Sequence, residues 1–302
     1  MAKAAPIPAM PADTPLGVYA AAVIEVRAGE VAALAGAAPG ADETKLVHDR
    51  RVALRRLRTA LEVFAPVLPK KRARAVAREL KRSFAALGAR RDADVALQAL
   101  AELEPRLSAA DRPGYKGLVD ALRHGGTDDS DLDAMACGAE DALALAGTAR
   151  EAGGPPADEA LRDAVARRAA RVSKLAAAGD PHDLRLAAKR LRYVLQAGEP
   201  VLGSAAADGL DVTRDLQDVL GALHDCEVLI ERVRAHRRAL RRADVAAARA
   251  GERLPGATHQ RGLHAVEVHL RARHAALAED AAARRVPLAG RIADALRSPV
   301  AA

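Results

Sequence analysis

Two stretches of this chain carry the same pattern of charges at positions 134 residues apart. The segment "HDRRVALRRLR" at 48–58 aligns with "HDLRLAAKRLR" at 182–192. A second pair, "LGARRDADV" at 87–95 and "LGALHDCEV" at 220–228, follows the two copies, and the two intervals differ by one residue. Two matched motifs at nearly equal separation predict a duplicated helical unit, in which each copy packs against its own helices and its sister.

Each copy places its cations on one side of a predicted helix. At about 100° per residue, four side chains of the first copy fall within an arc of about 80°, spread along about 15 Å of helix. We call these sets the cationic stripes: His48, Arg51, Arg55 and Arg58 in the first copy, and His182, Arg185, Lys189 and Arg192 in the second. The neighbouring arc is apolar, with Leu54 and Leu57 in one copy and Leu184 and Leu191 in the other. The pattern therefore predicts helices that rest on a core and direct cations into a groove.

The residue types favour helix along the whole chain. There is no Trp, only three Tyr and two Phe, so few residues favour strands, whereas Ala, Leu and Arg are abundant. We predict an all-α fold, and the duplication makes it pseudo-symmetric. One predicted helix begins near residue 42 and ends at the prolines at 66 and 69. The others span about 15–35, 70–87, 92–107, 115–123, 158–178, 181–198, 205–221, 225–250 and 260–282.

The remaining general features exclude several classes of protein. Cys137 and Cys226 are too far apart in the sequence to form a CxxC metal motif and too few for a disulfide framework, which suits a reducing cytosol. Residues 1–14 contain several prolines and no continuous apolar core, so we predict a flexible tail and no signal peptide. No apolar run approaches the roughly 20 residues that a membrane-spanning helix needs.

The charges are segregated along the chain. Residues 45–91 hold fifteen Lys or Arg against three Asp or Glu, residues 92–161 hold five against fifteen, and residues 162–192 hold nine against three. Such segregation creates strong local potentials, which suit the capture of a polyanion. The alternative is that the acidic and basic segments pair with each other within the fold.

The cationic stripes themselves favour a ligand. Like charges at i,i+3 and i,i+4 destabilise a helix by a few tenths of a kcal/mol per pair, and both copies keep them. Guanidinium groups bind phosphate oxygens bidentately, so a linear phosphate chain is the ligand that best fits such a row. A solvated basic face remains the alternative, although the repetition of the whole pattern favours binding.

Residues outside the stripes have secondary predicted roles. Lys81 and Arg214 precede the two LGA segments at equivalent positions and are expected to add cations to the same site, and Arg74 and Arg78 share a face with Lys81. Asp49 and Asp183 are predicted to be first-turn acids that interact favourably with the helix dipole. Two further acids, Asp92 and Asp225, are predicted to cap the helices that follow the LGA turns.

The doubled H-D-x-R-x-A-x-[RK]-R-L-R motif, followed by LGA-x-x-D-x-x-V, closely resembles the CHAD domain, the conserved-histidine α-helical domain, over residues 15–298. The resemblance implies two pseudo-symmetric helical bundles, 15–152 and 158–298 with a linker at 153–157, around a basic central cavity. It also implies binding of inorganic polyphosphate, association with polyphosphate granules in the cytoplasm, and no cofactor or metal. The implied binding residues are His48, Arg51, Arg55, Arg56, Arg58, His182, Arg185, Lys189, Arg190 and Arg192.

Two other functions stay open at this point. A phosphate-hydrolysing or phosphotransfer enzyme would use His48 or His182, but the chain has no P-loop and no HExxH motif, so we expect no catalysis. A nucleic-acid backbone binder is disfavoured because aromatic residues for base stacking are scarce, yet phosphate contacts alone do not exclude duplexes. No membrane partner is expected.

If both stripes serve one site, charge reversal in either stripe weakens binding of long-chain polyphosphate to a similar degree. The matched variants are Arg51→Glu with Arg55→Glu, and Arg185→Glu with Lys189→Glu. A long chain gains from both stripes because the second contact is intramolecular, whereas triphosphate gains far less. Fluorescence titration measures the affinities and circular dichroism checks the fold. One pair with no loss of affinity would mark that stripe as a solvated face.

Overall fold

The computed structural model describes residues 4–38, 43–123, 130–254 and 256–296, with the side chains at 44, 88–92, 94, 130, 131 and 205 left out. Within these ranges the regular structure is helical. The α-helices are α1 (Leu16–Ala35), α2 (Glu43–Val63), α3 (Lys70–Leu103), α4 (Arg112–Arg123), α5 (Ser130–Ala152), α6 (Ala157–Ala178), α7 (Pro181–Leu202), α8 (Ser204–Ala250) and α9 (Gln260–Ala295). Short 3₁₀ turns follow α2 and α3 at Ala65–Val67 and Glu104–Arg106. The all-α prediction is confirmed.

The predicted breaks at the two LGA segments are wrong. Residues 70–103 form one helix, and α8 runs without interruption from Ser204 to Ala250. A single glycine in a helix costs only about 1 kcal/mol relative to alanine. In α8 the buried residues continue at helical spacing across Gly221, namely Leu216, Leu220, Leu223, Cys226 and Ile230. The gain from burying that continuous stripe outweighs the local cost of the glycine.

The longer helices change the roles of three acids. Asp225 lies inside α8, so it does not cap a helix. Asp92 lies within the bounds of α3, and its side chain is outside the described part of the chain. Because α2 begins at Glu43, Asp49 is beyond the first turn and instead pairs with Lys45 Nζ at 2.9 Å. Asp183 does lie in the first turn of α7, as predicted.

The structure contains two compact units, and each includes residues from both sides of the 153–157 segment. The first unit comprises 1–89, 127–218 and 284–302, and the second comprises 90–126 and 219–283. These units are defined by contacts, whereas the predicted repeats are defined by sequence. The duplication and its boundaries therefore stay a prediction.

The first unit contains both predicted stripe helices. Helix α1 packs on α2 and α5, α6 packs on α7, and α2 contacts α7 directly. The predicted apolar faces are buried, with Leu54, Leu57, Leu184 and Leu191 all fully inaccessible. The burial of these leucines holds α2 and α7 side by side, so residues adjacent to the apolar arc on both helices come close together.

The second unit has its own apolar core. It is formed by the C-terminal part of α3, by α4, and by portions of α8 and α9, with Leu100, Leu118, Val233 and Leu263 at its centre. Among the described residues of this unit, Glu267 is a buried charge, and it pairs with Arg234, Arg237 and Arg271. None of the helices in the described ranges has the length and apolar character needed to cross a membrane.

A close approach of backbones joins α1 to the segment after α5. A Cβ on Gly17 would lie 2.1 Å from the carbonyl oxygen of Ala149 and 2.7 Å from that of Gly153. The Gly17 amide donates to the same Gly153 oxygen at 2.7 Å. The turn itself uses positive φ angles at Gly153 and Gly154, of 64° and 115°. Glycine at position 17 is thus required by the space available.

We predict that Gly17→Ala destabilises the protein and that Gly29→Ala, on the same helix, does not. The first change forces a backbone shift that costs about 1–3 kcal/mol. The second adds a Cβ with no atom within 4 Å and is expected to gain about 0.5–1 kcal/mol from helix propensity. Urea denaturation followed by circular dichroism measures both. Equal midpoints for the two variants would contradict the close packing of α1.

Candidate anion-binding site

A cavity of about 370 Å³ opens within the first unit among α1, α2, α7 and α8. Its lining is rich in guanidinium groups and hydrogen-bonding side chains, and Glu199 is the acid among the described lining residues. The polar lining residues are Arg27, Thr59, Arg56, Arg192, Tyr193, Gln196, Glu199 and Arg214. We call this space the arginine cavity. It has the charge and the donors of an anion site.

Glu30 organises two of these arginines. Its Oε2 accepts from Arg27 Nη1 at 3.0 Å, and its Oε1 lies 3.4 Å from Arg56 Nη1. The side chains are nearly buried, with exposed fractions of 9% for Arg27, 13% for Glu30 and 17% for Arg56. One carboxylate is therefore shared by two desolvated cations at this wall of the cavity.

The electrostatics of Arg56 reflect its burial and its charged neighbours. Burial lowers the pKa of Arg56, Glu30 opposes that effect, the nearby cations Arg27 and Arg55 lower the pKa further, and Asp49 raises it. Arginine nevertheless stays charged at neutral pH because its ordinary pKa lies far above neutrality. The unfavourable energy is thus retained in the folded protein and is available to an anion that neutralises the group.

Arg192, on α7, is the least satisfied cation of the cavity. Its Nε atom is buried and has no hydrogen-bond partner in the described structure. Burial lowers the pKa of Arg192, Tyr193 raises it, and the charge of Arg55 lowers it again, followed by a weaker effect of Arg214. The predicted stripe residues Arg55 and Arg192, from different copies of the motif, are therefore electrostatic neighbours.

The fourth lining arginine, Arg214 on α8, is more accessible. Its side chain is 43% exposed and it forms an ion pair with Asp211 one turn earlier. Together with Arg55 it completes a group from four helices that we call the arginine cluster: Arg27, Arg55, Arg56, Arg192 and Arg214. A phosphate group in the cavity would receive charge-assisted hydrogen bonds from several of these side chains.

Two further stripe residues are held by an aromatic ring. The guanidinium carbons of Arg51 and Arg58 lie 4.5 Å and 5.3 Å from the ring centroid of Phe84 on α3. The two arginines are seven residues apart and occupy the same side of α2, as the helical period requires. Cation–π contact orients the side chains and leaves the charge intact.

The histidines at the head of the stripes have different environments. His48 is half-buried on α2, whereas His182 is exposed in the first turn of α7. The backbone N–H of His182 donates to the capping residue Asp180 at 2.8 Å. Arg185 and Lys189 continue the stripe along α7 and are half-buried.

Several predicted residues lie away from the arginine cavity. Arg74, Arg78 and Lys81 are exposed on α3 and do not line it. Arg190 is also exposed, and its charge contributes to lowering the pKa of Arg168 on α6, after the larger effects of burial and Arg167. Because Arg190 follows Lys189 by one residue, helix geometry rotates it by about 100° from the stripe.

Sequence reasoning missed important members of the site. Arg27 and Glu30 lie on α1, which was identified only by its apolar residues, and Tyr193 and Gln196 follow the second stripe on α7. A signal for the first pair was present, because Arg27 and Glu30 are separated by one helical turn on a helix whose neighbouring positions are buried and apolar.

In the parts of the chain with described side chains, no group of three or more His, Cys, Asp or Glu is arranged to hold a metal ion.

The chain is similar to proteins of one family. The family model described as "CHAD domain" matches residues 25–234. The fold is similar to the crystal structure of the CHAD domain from the plant Ricinus communis, with a TM-score of 0.60, 22% identity, and coverage of 99% of this chain and 97% of that chain. It is also similar to PptA from Streptomyces chartreusis, with a TM-score of 0.54, 15% identity, and coverage of 90% and 99%. None of the curated proteins matches.

We predict that Arg192→Met increases stability while removing a response to anions. The change replaces a half-buried cation, whose buried Nε has no hydrogen-bond partner, with an apolar side chain, and the expected gain is about 1–2 kcal/mol. Sulfate, by binding the folded state, should raise the melting temperature of the wild type more than that of the variant.

The control is Arg190→Met, two residues away and exposed. It should match the wild type in its response to sulfate, which separates site binding from the general salting effect of sulfate. A loss of stability in Arg192→Met, with an unchanged sulfate response, would show that Arg192 is a structural residue.

Proposed function

This chain belongs to the CHAD domain family, and we propose that it binds inorganic polyphosphate without transforming it. The observation that supports the proposal is the arginine cluster, in which four helices bring four guanidinium groups to one cavity, with Arg55 close to Arg56 and Arg192 and with Glu30 paired to Arg27 and Arg56. Phosphate chains carry a negative charge on each unit and offer oxygens at regular spacing. Such a ligand neutralises several of these cations at once.

The proposed path for the chain uses both stripes. A phosphate segment in the arginine cavity contacts Arg56, Arg192 and Arg214, and adjoining phosphates extend along α2 and α7 toward the half-buried stripe residues. The direct packing of α2 on α7 supports this arrangement because it brings the two helices within reach of one ligand. Association with polyphosphate granules follows as the cellular consequence of the proposal.

The proposed lack of catalysis rests on the chemistry of the lining. The arginine, threonine, tyrosine and glutamine side chains of the lining hold phosphate oxygens. The described lining residues include no histidine, cysteine or lysine that could act as an activated nucleophile or base beside Glu199. Acceleration requires interactions that are stronger in the transition state. We therefore expect polyphosphate to be recovered intact after incubation with the protein and Mg²⁺ or Mn²⁺.

The deciding experiment compares two variants that lose the same formal charge. Arg55→Gln with Arg192→Gln alters the arginine cluster, and Arg74→Gln with Arg78→Gln alters the exposed face of α3. Each charged hydrogen bond is worth about 1.5–3 kcal/mol, so the cluster variant should lose about 100-fold or more in affinity for long-chain polyphosphate. The α3 variant should lose about threefold or less, because exposed charges are screened.

Fluorescence titration at physiological salt gives the affinities, with triphosphate and duplex DNA as competitors. The slope of log K against log salt should be roughly −3 to −6, since about 0.7 is lost per phosphate neutralised. Equal losses in both variants would mean diffuse attraction and no defined site. Stronger competition by duplex DNA would favour a nucleic-acid binder, and phosphate release that disappears with His48→Ala would favour an enzyme.

A further inference from the structure

The segment that precedes α1 reaches the arginine cavity. Ala4 is one of the lining residues, and the backbone of Ala5 is held at two points. The Ala5 amide donates to Glu30 Oε1 at 2.6 Å, and its carbonyl accepts from Arg27 Nη1 at 3.0 Å. A neutral stretch of backbone thus engages the same arginine and carboxylate that form one wall of the cavity.

The other end of this segment is anchored independently. The carbonyls of Ala12 and Thr14 accept from the amides of Asp158 and Ala157, at 3.2 Å and 2.9 Å. The Thr14 hydroxyl donates to the Pro11 carbonyl at 2.7 Å. Within residues 4–14, the described hydrogen bonds fall into two groups, one at Ala5 and one at residues 11–14. The region around Ala5 can therefore detach while residues 11–14 stay in place.

The contact with Arg27 is one that a phosphate group would improve. A guanidinium bonds more strongly to an anionic phosphate oxygen than to a neutral carbonyl, because the phosphate adds an ionic attraction and can accept two parallel bonds. Arg27 bonds the neutral Ala5 carbonyl and shares the Glu30 carboxylate with Arg56, so a phosphate oxygen in place of the carbonyl would add an attraction that the backbone lacks. Ligand and backbone therefore compete for the same donor.

We propose that residues 4–5 form a displaceable cap on the arginine cavity, and that a phosphate group replaces the Ala5 carbonyl on Arg27 when it binds. The proposal rests on the function given above and adds a means of control. Only those protein molecules in which the cap is detached are ready to bind phosphate. The apparent dissociation constant therefore equals the intrinsic dissociation constant divided by the fraction of uncapped protein. Any factor that draws the segment away increases affinity without altering the arginines.

The test uses inorganic triphosphate, which is short enough to report on the cavity and not on the full stripes. The principal variant lacks residues 1–5 apart from a new initiating Met, and its affinity should be about tenfold tighter because two hydrogen bonds of the cap are lost. The deletion also removes Lys3, a change that by itself weakens anion binding. Because the deletion also moves the charged α-amino group close to the cavity, a gain in affinity is assigned to loss of the cap only if the full-length Ala5→Pro variant, which keeps the wild-type charge, also gains affinity.

Two full-length variants make the test independent of the deletion. Ala5→Pro removes the amide that donates to Glu30 and should tighten binding about threefold. Ala9→Pro adds a proline to the same segment at an exposed position without a described hydrogen bond and should behave as the wild type. Isothermal titration gives the affinities, and stopped-flow fluorescence gives the association rates, which should rise in the deletion variant and in Ala5→Pro but not in Ala9→Pro.

The outcomes separate this inference from the proposed function. Equal affinity of the wild type and the deletion variant would overturn the cap and leave polyphosphate binding intact. Weaker binding by the deletion variant would also overturn it, because the segment would then be part of the binding surface. If neither protein binds triphosphate or long-chain polyphosphate, both proposals fail.

Discussion

The desolvation of like charges at the junction of α1, α2, α7 and α8 is the constraint on which this account depends. The helices come together because their leucines are buried, and the arginines adjacent to those leucines are carried into the same space. Glu30 relieves part of the repulsion by accepting from Arg27 and lying within ion-pair distance of Arg56. Burial of the apolar core of the first unit compensates for the remaining repulsion. That repulsion favours any ligand that supplies negative charge.

The distribution of these cations differs from that of ordinary surface charges. Arg74, Arg78 and Arg190 are exposed to water, where a charge costs little and contributes little. Arg192 has a buried Nε without a partner, and Arg56 is largely buried against α1. A protein selected for stability alone would gain from apolar residues at such positions. Buried guanidinium groups also occur away from the cavity, as at Arg50 and Arg237, so it is the convergence of four arginines on one cavity that marks the candidate site.

Much of the fold was predictable because helix formation has a local signature. The bounds of α1 and α6 follow from the prolines that precede them and the glycines that follow them, and the buried faces of α2 and α7 follow from the spacing of their leucines. The continuity of α8 was not predictable from the LGA segment alone. Helix α8 stays continuous because a buried apolar stripe lies on both sides of Gly221. Burial of that stripe stabilises the helix by more free energy than one glycine costs.

The site was predictable to the extent that it lies on the repeated motif. Arg55, Arg56 and Arg192 were identified from the stripes and the family resemblance, and Arg214 from its equivalent position. Arg27 and Glu30 were not, because their spacing of one helical turn shows that they share a face of α1 but not which helix that face packs on. The same holds for the contact of Ala5 with both of them.

The most direct test of the central claim is a crystal structure of the protein with bound polyphosphate. The account predicts phosphate density in the arginine cavity, with phosphate oxygens within hydrogen-bonding distance of Arg56, Arg192 and Arg214 and with the Nε of Arg192 acquiring a partner. Ordered phosphates found only on the exposed face of α3 or on the second unit, with the cavity free of ligand, would contradict it.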